Sequence, residues 1–386
     1  MNVLILSAHD FRTPRKAGRH FVAEKLAKTM TVRFFSIRYS WLSRRRPDPR
    51  HVIADKANRQ EHYQGVDCYL WKPWLHPFNM RQPALRWLEG LCYRLYVALA
   101  PKLLRQWMQE ADVIFFESGI APVFFDKAKA LNPKARLVYV AADELDAIDV
   151  AEYVKQLMVR VSTQFDHVIV NSRNMVKDFA PGSRRFFVPH GIDETLRDQG
   201  EPNPYSGGIN AIAVGSMLFD ADFITLAATA HPEIQFHVIG CGRPRDPAWP
   251  ANVTAYDEMP FAETVRYVKH AHIGLAPYRP EGIPPSLADT SLKLQQYAFF
   301  GLPAVCPIQA AGQHGHRFAY QAGDQDSISR AVTDALAAGR QAGISVLNWQ
   351  QVAERYMSPE LFEDTKLPDH QISDPVLRLD TRVDTP

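Results

Sequence analysis

Short apolar runs recur through the first half of the chain: VLIL (3–6), VRFFSI (32–37), DCYLW (67–71), DVIFFES (112–118), RLVYVA (136–141), HVIVNS (167–172) and RFFVPH (185–190). Their apolar residues follow one another almost without polar alternation, and most runs are far enough apart for a crossover helix. This pattern predicts a parallel sheet covered on both faces. A Gly/Pro/Asn-rich stretch, DQGEPNPYSGG (198–208), reads as a connection between domains. Beyond it the rhythm restarts with NAIAVG (210–215), IQFHVIG (234–240), NVTAY (252–256), HIGLAPY (272–278) and PAVC (303–306). The chain is therefore expected to be α/β, with Rossmann-like domains over residues 1–200 and 208–345. Two such domains in tandem leave a cleft between the carboxyl ends of their sheets, where ligands of open α/β sheets bind. Residues 346–386 are expected to form a helix around Trp349–Tyr356, returning toward the first domain, and then an Asp- and Pro-rich tail.

Length and composition agree with that division. A chain of 386 residues is too long for one ordinary core. Its 46% hydrophobic and 22% charged residues are those of a globular protein in water. Cys68, Cys92, Cys241 and Cys306 are scattered with no CxxC pair, which points to buried thiols of a reducing cytoplasm. The start, MNVLILSAHD, lacks the features of a signal peptide and reads as a first strand. The net charge of +2 hides an asymmetry, because residues 1–110 carry 20 Lys/Arg against 8 Asp/Glu. That end of the chain is expected to face something anionic, lipid headgroups or nucleic acid.

Two segments carry the candidate chemistry. In VYVAADELDAIDV (138–150), Asp143, Glu144, Asp146 and Asp149 follow a predicted buried strand. One of them is a catalytic base, or all belong to a helix N-terminus, where acids are favoured. In PSLADTSLKLQQYAFFGLPAVC (285–306), Asp289 or Thr290 is expected to cap a helix running from near Ser291 to around Gly301. Lys293 then lies in the first turn, where its charge opposes the helix dipole unless an anion is nearby. Backbone N–H groups at a helix start plus one lysine make a diphosphate site without metal. Gln296 shares that face, and the bland alternative is a surface lysine. Asp220-Ala221-Asp222 mimics a metal-binding DxD, but its place at a helix start favours capping. His270 and His272 have neither HExxH spacing nor clustered carboxylates, so no metal site is expected. His9 and Asp10, at the end of the first strand, either support the site or form a turn.

The helix followed by G-L-P-x-V resembles the donor-binding element of GT-B glycosyltransferases, in which two Rossmann-like domains face each other across a cleft. Many retaining members carry two glutamates here, eight positions apart. Ala288 and Gln296 occupy those positions, which points away from the retaining pattern. A closer resemblance is to glycosyltransferase family 70, the GumK-like β-glucuronosyltransferases of xanthan-type exopolysaccharide assembly. It is carried by LSAHDFRTPR (6–15), RFFSIRYSWLSR (33–44), GVDCYLW (65–71), HPFN (76–79) and FESGIA (116–121). It continues through AVGSMLFD (213–220), FHVIG (236–240), HAHIGLAPY (270–278) and SLKLQQYAFFGLPAVCP (291–307).

The resemblance implies an inverting, metal-independent, membrane-associated enzyme with no cofactor beyond its donor substrate. It implies transfer of glucuronate from UDP-glucuronate to a mannose of a lipid-diphosphate-linked oligosaccharide, with the first domain binding the acceptor and the second the donor. Carried over residue by residue, it implicates Met217, Glu258, Met259, Tyr278, Ser291, Leu292, Lys293 and Gln296 in donor binding. Leu292 stands where a methionine is expected, a swap that keeps volume and apolar character. Glu258 would accept hydrogen bonds from ribose hydroxyls, and Tyr278 with the methionines would pack on uracil and sugar. Lys293 would neutralise the diphosphate or pair with the glucuronate carboxylate. The base of the family falls on Asp143, leaving Asp146 and Asp149 to capping and surface. The chain departs from the resemblance nearby: Val140 and Ala142 stand where a family member carries Arg and Ser, and Glu144 replaces a small residue.

Residues 71–108 interleave Trp71, Trp74, Phe78, Trp87, Tyr93, Tyr96 and Trp107 with Lys72, Arg81, Arg86, Arg94, Lys102 and Arg105. No apolar run approaches the roughly 20 residues of a transmembrane helix. The segment lies in the headgroup region of an anionic membrane, or it is an amphipathic helix packed on its own domain. No nucleic-acid motif accompanies the charge. A lipid-linked acceptor favours the interfacial reading, that is, a peripheral protein on the cytoplasmic face of the inner membrane. The alternatives are a transferase of another UDP-sugar, a UDP-sugar epimerase and a non-catalytic GT-B-like binding protein. An epimerase would need no membrane-facing basic stretch.

Overall fold

The computed structural model describes residues 1–13, 16–45, 48–148, 150–175, 178–197, 202–312, 314–343 and 345–367. Asp149, the start of the expected connection at 198–201 and the tail beyond residue 367 lie outside the described residues. The chain forms two compact units, Met1–Pro189 with the chain from Trp349 onward, and His190–Asn348.

The strands of the first unit are β1 (Asn2–Ser7), β2 (Thr31–Ser36), β3 (Gln60–Tyr63), β4 (Val66–Leu70), β5 (Val113–Glu117), β6 (Arg136–Ala141), β7 (His167–Val170) and β8 (Arg185–Phe187). They lie in the order β3-β4-β2-β1-β5-β6-β7-β8. Each apolar run read from the sequence is a strand, and the pairings are parallel except for β3 with β4. The sequence reading missed β3, because QEHY carries no apolar run. It pairs through a two-residue turn in which Gln64 and Gly65 have φ of 49° and 81°, the left-handed geometry that matches hairpin twist. One face of the sheet packs Leu4, Leu6, Phe35, Phe116 and Tyr139 against Tyr96, Trp107, Phe125 and Leu157 of the crossover helices. The helix Gly18–Leu26 meets the helix Trp349–Met357, with Phe21 and Trp349 stacked at 4.8 Å.

The second unit holds β9 (Ile209–Val214), β10 (Ile234–Ile239), β11 (Val253–Tyr256), β12 (Ile273–Leu275), β13 (Ala304–Pro307) and β14 (Arg317–Tyr320), in the order β11-β10-β9-β12-β13-β14. Its pairings are all parallel among the described residues. Edge strand β14 was also not foreseen, since RFAY is short and half-exposed. Tyr297 lies flat across the sheet, and its hydroxyl sits 3.1 Å from the carbonyl oxygens of Ile212 and Leu275. Only glycine leaves room beneath it, because a Cβ on Gly274 would stand 2.5 Å from the ring. Gly274→Ala is expected to destabilise this unit by about 1–3 kcal/mol through overpacking, which thermal or urea unfolding would measure.

Each sheet has a point where the winding direction reverses. The chain leaves β1 toward β2 and returns on its other side at β5; in the second unit it leaves β9 toward β10 and returns at β12. Crevices at the carboxyl ends of such strands are where open α/β sheets bind ligands.

Candidate active site

In the second unit the loops after β9, β10, β11 and β12 converge at the carboxyl edge. Gly215, Gly240 and Gly242 have φ of 88°, 60° and 76°, turning the chain sharply at the strand ends. A Cβ on Gly240 would meet the Glu258 backbone at 3.4 Å, and one on Gly242 would meet Ser216 at 3.0 Å. The loop carrying Met217 is tied to the loop carrying Tyr278: the Arg279 N–H donates to the Leu218 carbonyl at 2.7 Å, and Phe219 bridges to Tyr278. Met217 is 57% exposed, and beside it Leu218 holds a left-handed φ of 50°.

The helix after β12 starts near Ser291 as expected, but its cap lies one or two residues later than expected. A short helix, Leu287–Thr290, precedes the helix Leu292–Phe299, and the cap is Ser291 instead of Asp289 or Thr290. Ser291 Oγ accepts from the Leu294 N–H at 3.2 Å and lies 2.7 Å from the buried Tyr278 hydroxyl. Lys293, in the first helical turn, holds its Nζ 4.9 Å from the centre of the Tyr278 ring. Burial pushes its ammonium down to about 8, and no carboxylate among the described residues offsets that. A desolvated cation at a helix N-terminus without its own counter-ion is the arrangement of an anion site.

The structure thus joins Tyr278, Ser291 and Lys293 directly, while Met259 and Leu218 pack on the same apolar cluster as Tyr278 and Leu294. Glu258 is exposed at the edge of this group. Leu292 is half exposed, and Gln296 sits one turn beyond Lys293 with its side chain half-buried. The DxD look-alike is a helix cap: Asp220 accepts from the N–H groups of Asp222 and Phe223 at 3.0 and 3.3 Å. No cluster of metal-ligating side chains occurs among the described residues.

In the first unit Asp143 follows β6, with its backbone N–H on Ser118 Oγ at 3.3 Å. The side chain reaches solvent from a crowded recess, and the crowding raises its pKa above the ordinary carboxylate range while the charge of Arg19 opposes the rise. Its acidic neighbours are placed differently. Glu144 is buried, and Asp146 is exposed and paired with Lys155. Asp10 is locked in a buried network, receiving two bonds from the Arg12 guanidinium at 2.9 Å and one from Ser36 Oγ at 2.7 Å, so its role is to fix the loop after β1.

Sequence reasoning missed the groups beneath Asp143. Glu117 ends β5 and is buried; it pairs with Arg19 and accepts from Ser7 Oγ at the end of β1. The available signal was a lone acid closing the otherwise apolar strand VIFFE, at the point where the winding reverses.

Residues 5–171 match the family described as Glucuronosyltransferase GumK, N-terminal domain. The chain is also 48% identical over 367 residues to the UDP-glucuronate:glycolipid 2-beta-glucuronosyltransferase of Xanthomonas campestris pv. campestris, which covers 95% of this chain and 92% of that protein. The chain belongs to the GumK family of glucuronosyltransferases. Solved structures place the fold more widely. The sucrose-phosphate synthase of Thermosynechococcus elongatus superposes with a TM-score of 0.59 at 13% identity, covering 93% of this chain and 98% of that one. The UDP-forming α,α-trehalose-phosphate synthase of Burkholderia xenovorans does so with a TM-score of 0.57 at 14% identity, covering 94% and 97%. At those identities the likeness concerns the fold alone, GT-B with two Rossmann-like domains. Within the GumK family this chain has valine at position 140, the cross-strand partner of Glu117.

Proposed function

We propose that the protein transfers glucuronate from UDP-glucuronate to a mannose of a lipid-diphosphate-linked oligosaccharide, with inversion and without a metal, in exopolysaccharide biosynthesis. The observation that carries this reading is the identity with the glycolipid glucuronosyltransferase over nearly the whole chain. The relative's product is a β-glucuronoside, and UDP-sugars of this type are α-linked, so one direct displacement accounts for the change of configuration. In that step the acceptor oxygen forms a bond to the anomeric carbon as the bond to UDP breaks. The hydroxyl proton passes to Asp143, and the electron pair leaves with the diphosphate. One base and a stabilised leaving group are sufficient.

Lys293 supplies the positive charge for the diphosphate. The Ser291 cap holds the Leu294 N–H, and the first-turn N–H groups of its helix that remain add to it. Met217 stands exposed at the loop, an apolar surface on which uracil or sugar can rest, while the buried Tyr278 backs the lysine from beneath. The diphosphate is the better partner for Lys293 than the glucuronate carboxylate, because helix N-termini favour phosphate groups.

The acceptor's lipid calls for a membrane surface. On the helix Arg86–Ala98, Tyr93 and Tyr96 face the core, while Trp87, Leu91 and Leu95 are 70%, 50% and 47% exposed. Arg86 and Arg94 are exposed beside them. No helix among the described residues is long and apolar enough to cross a membrane. Apolar side chains in an i, i+4, i+8 row flanked by arginines suit a helix lying in the headgroup region of an anionic bilayer, on the cytoplasmic face where the lipid-linked acceptor is built. Trp87→Glu/Leu91→Glu is expected to cut binding to phosphatidylglycerol vesicles at least tenfold in co-sedimentation while leaving UDP binding unchanged. Undiminished sedimentation of the variant would remove the membrane assignment from this face.

A further inference from the structure

Arg19 stands in the first turn of the helix Gly18–Leu26 with its side chain only 13% exposed. Its Nε is ion-paired with Glu117, yet neither the buried Nε nor the buried Nη1 makes a hydrogen bond. The other oxygen of Glu117 accepts from Ser7 Oγ, which in turn accepts the His9 N–H at 2.9 Å. Glu117 is therefore held on both oxygens at the junction of β1 and β5. The next residue, Ser118, takes the backbone N–H of Asp143 at 3.3 Å. A guanidinium is thus fixed at the end of β5, near enough for its charge to act on the carboxylate that follows β6, from an element that β6 does not contact through its own ladder. Its cross-strand position, Val140 opposite Glu117, supplies no charge.

The tyrosines around this pair and the neighbouring His20 supply no charge at neutral pH. Tyr356, from the helix Trp349–Met357, and Tyr139, on β6, are pushed upward by burial and stay neutral. His20, next to Arg19, is pushed down to about 4 by burial. His9 faces His20 edge-on at 6.2 Å, and Asp178 is taken up by the Leu145 N–H at 3.1 Å. Burying a cation is costly unless it is paired. Glu117 meets that cost for one edge of the guanidinium and leaves the other edge with charge unspent.

We propose that Arg19, clamped by Glu117, is a positioning residue that holds the Asp143 carboxylate ionised and ready to accept the acceptor's proton. The proposal rests on Asp143 being the base. Arg19 itself touches no substrate; it acts through Asp143 by a fixed positive charge, and Glu117 fixes where that charge lies. A nearby opposite charge lowers a carboxyl's pKa, typically by about a unit or more, so the signature is in the pH profile.

The test compares the acid limb of kcat/KM for glucuronyl transfer in the wild type, Arg19→Gln, Arg19→Lys and Arg19→Gln/Glu117→Gln, with thermal melts to confirm folding. The double variant removes both buried charges, so it folds even where the single change strands Glu117. Arg19→Gln is expected to move the acid limb up by about one pH unit, with rates about tenfold lower below the limb and near wild type on the plateau; the double variant moves it up by less, because it also removes the negative charge of Glu117. Arg19→Lys is expected to return the limb most of the way. A folded Arg19→Gln with an unshifted limb, or a uniform loss at every pH, would overturn the proposal. So would a double variant with a wild-type limb, since the shift would then come from Glu117 alone. Asp143→Asn separates this from the base assignment: if that variant keeps its transfer rate, the base reading fails irrespective of Arg19.

Discussion

Asp143→Asn gives a folded protein that binds UDP as the wild type does and transfers glucuronate about 10²–10⁴ times more slowly, the usual worth of a general base. Asparagine keeps the size and the backbone bond to Ser118 but cannot accept the proton. The fold should tolerate the change, because the Asp143 side chain anchors no strand or cap among the described residues. UDP binding should be spared because the lysine, tyrosine and capping serine of the anion site belong to the other unit. The pH profile carries a second signature. With the carboxyl raised by crowding, the wild-type acid limb lies above the ordinary aspartate range, and the residual activity of the variant lacks that limb.

Lys293→Ala is expected to lower kcat by about 10²–10³, the loss seen when one preorganised donor to a developing charge is removed, and to weaken UDP binding as well. Because burial holds the free lysine down to about 8, the charge is partly lost in the empty site at mildly alkaline pH. A bound diphosphate restores it. UDP affinity therefore falls as pH rises through about 8, and binding there takes up a proton, which calorimetry in buffers of different ionisation enthalpy reads directly. Lys293→Arg retains charge at all these pH values, so its UDP affinity should lose the pH dependence. Pairing of Lys293 with the glucuronate carboxylate would instead show as an unchanged affinity for UDP and a loss confined to UDP-glucuronate.

Much of this fold is legible from runs of apolar residues. Strands buried on both faces cannot alternate, so RLVYVA and VIFFE declare themselves, and their spacing requires crossover helices. The edges are where the reading stopped. QEHY and RFAY are strands because of their neighbours and turns, and no local pattern marks them. The sequence DTS offers three capping residues in a row; a single turn of helix over Leu287–Thr290 uses the first two, leaving Ser291 to cap the longer helix. In the helix Arg86–Ala98 both faces are apolar, so periodicity could not choose between packing and an exposed surface. The structure has both, Tyr93 and Tyr96 inside and Trp87, Leu91 and Leu95 outside.

The candidate chemistry divides in the same way. Lys293 is recognisable from its position in a first turn, and Asp143 from its place at a strand end. Arg19 and Glu117 are far apart in sequence, and only the return of β5 beside β1 brings their elements together. A buried ion pair formed across a crossover leaves no spacing to read.

The most direct measurement incubates the purified protein, in EDTA, with a mannose-ended lipid-diphosphate oligosaccharide and either UDP-glucuronate or UDP-glucose, and determines the anomeric configuration of any product. The account predicts UDP release coupled to a β-linked glucuronosyl product, with little transfer from UDP-glucose. Equal use of both donors, an α-linked product, or conversion of the UDP-sugar without acceptor would contradict it.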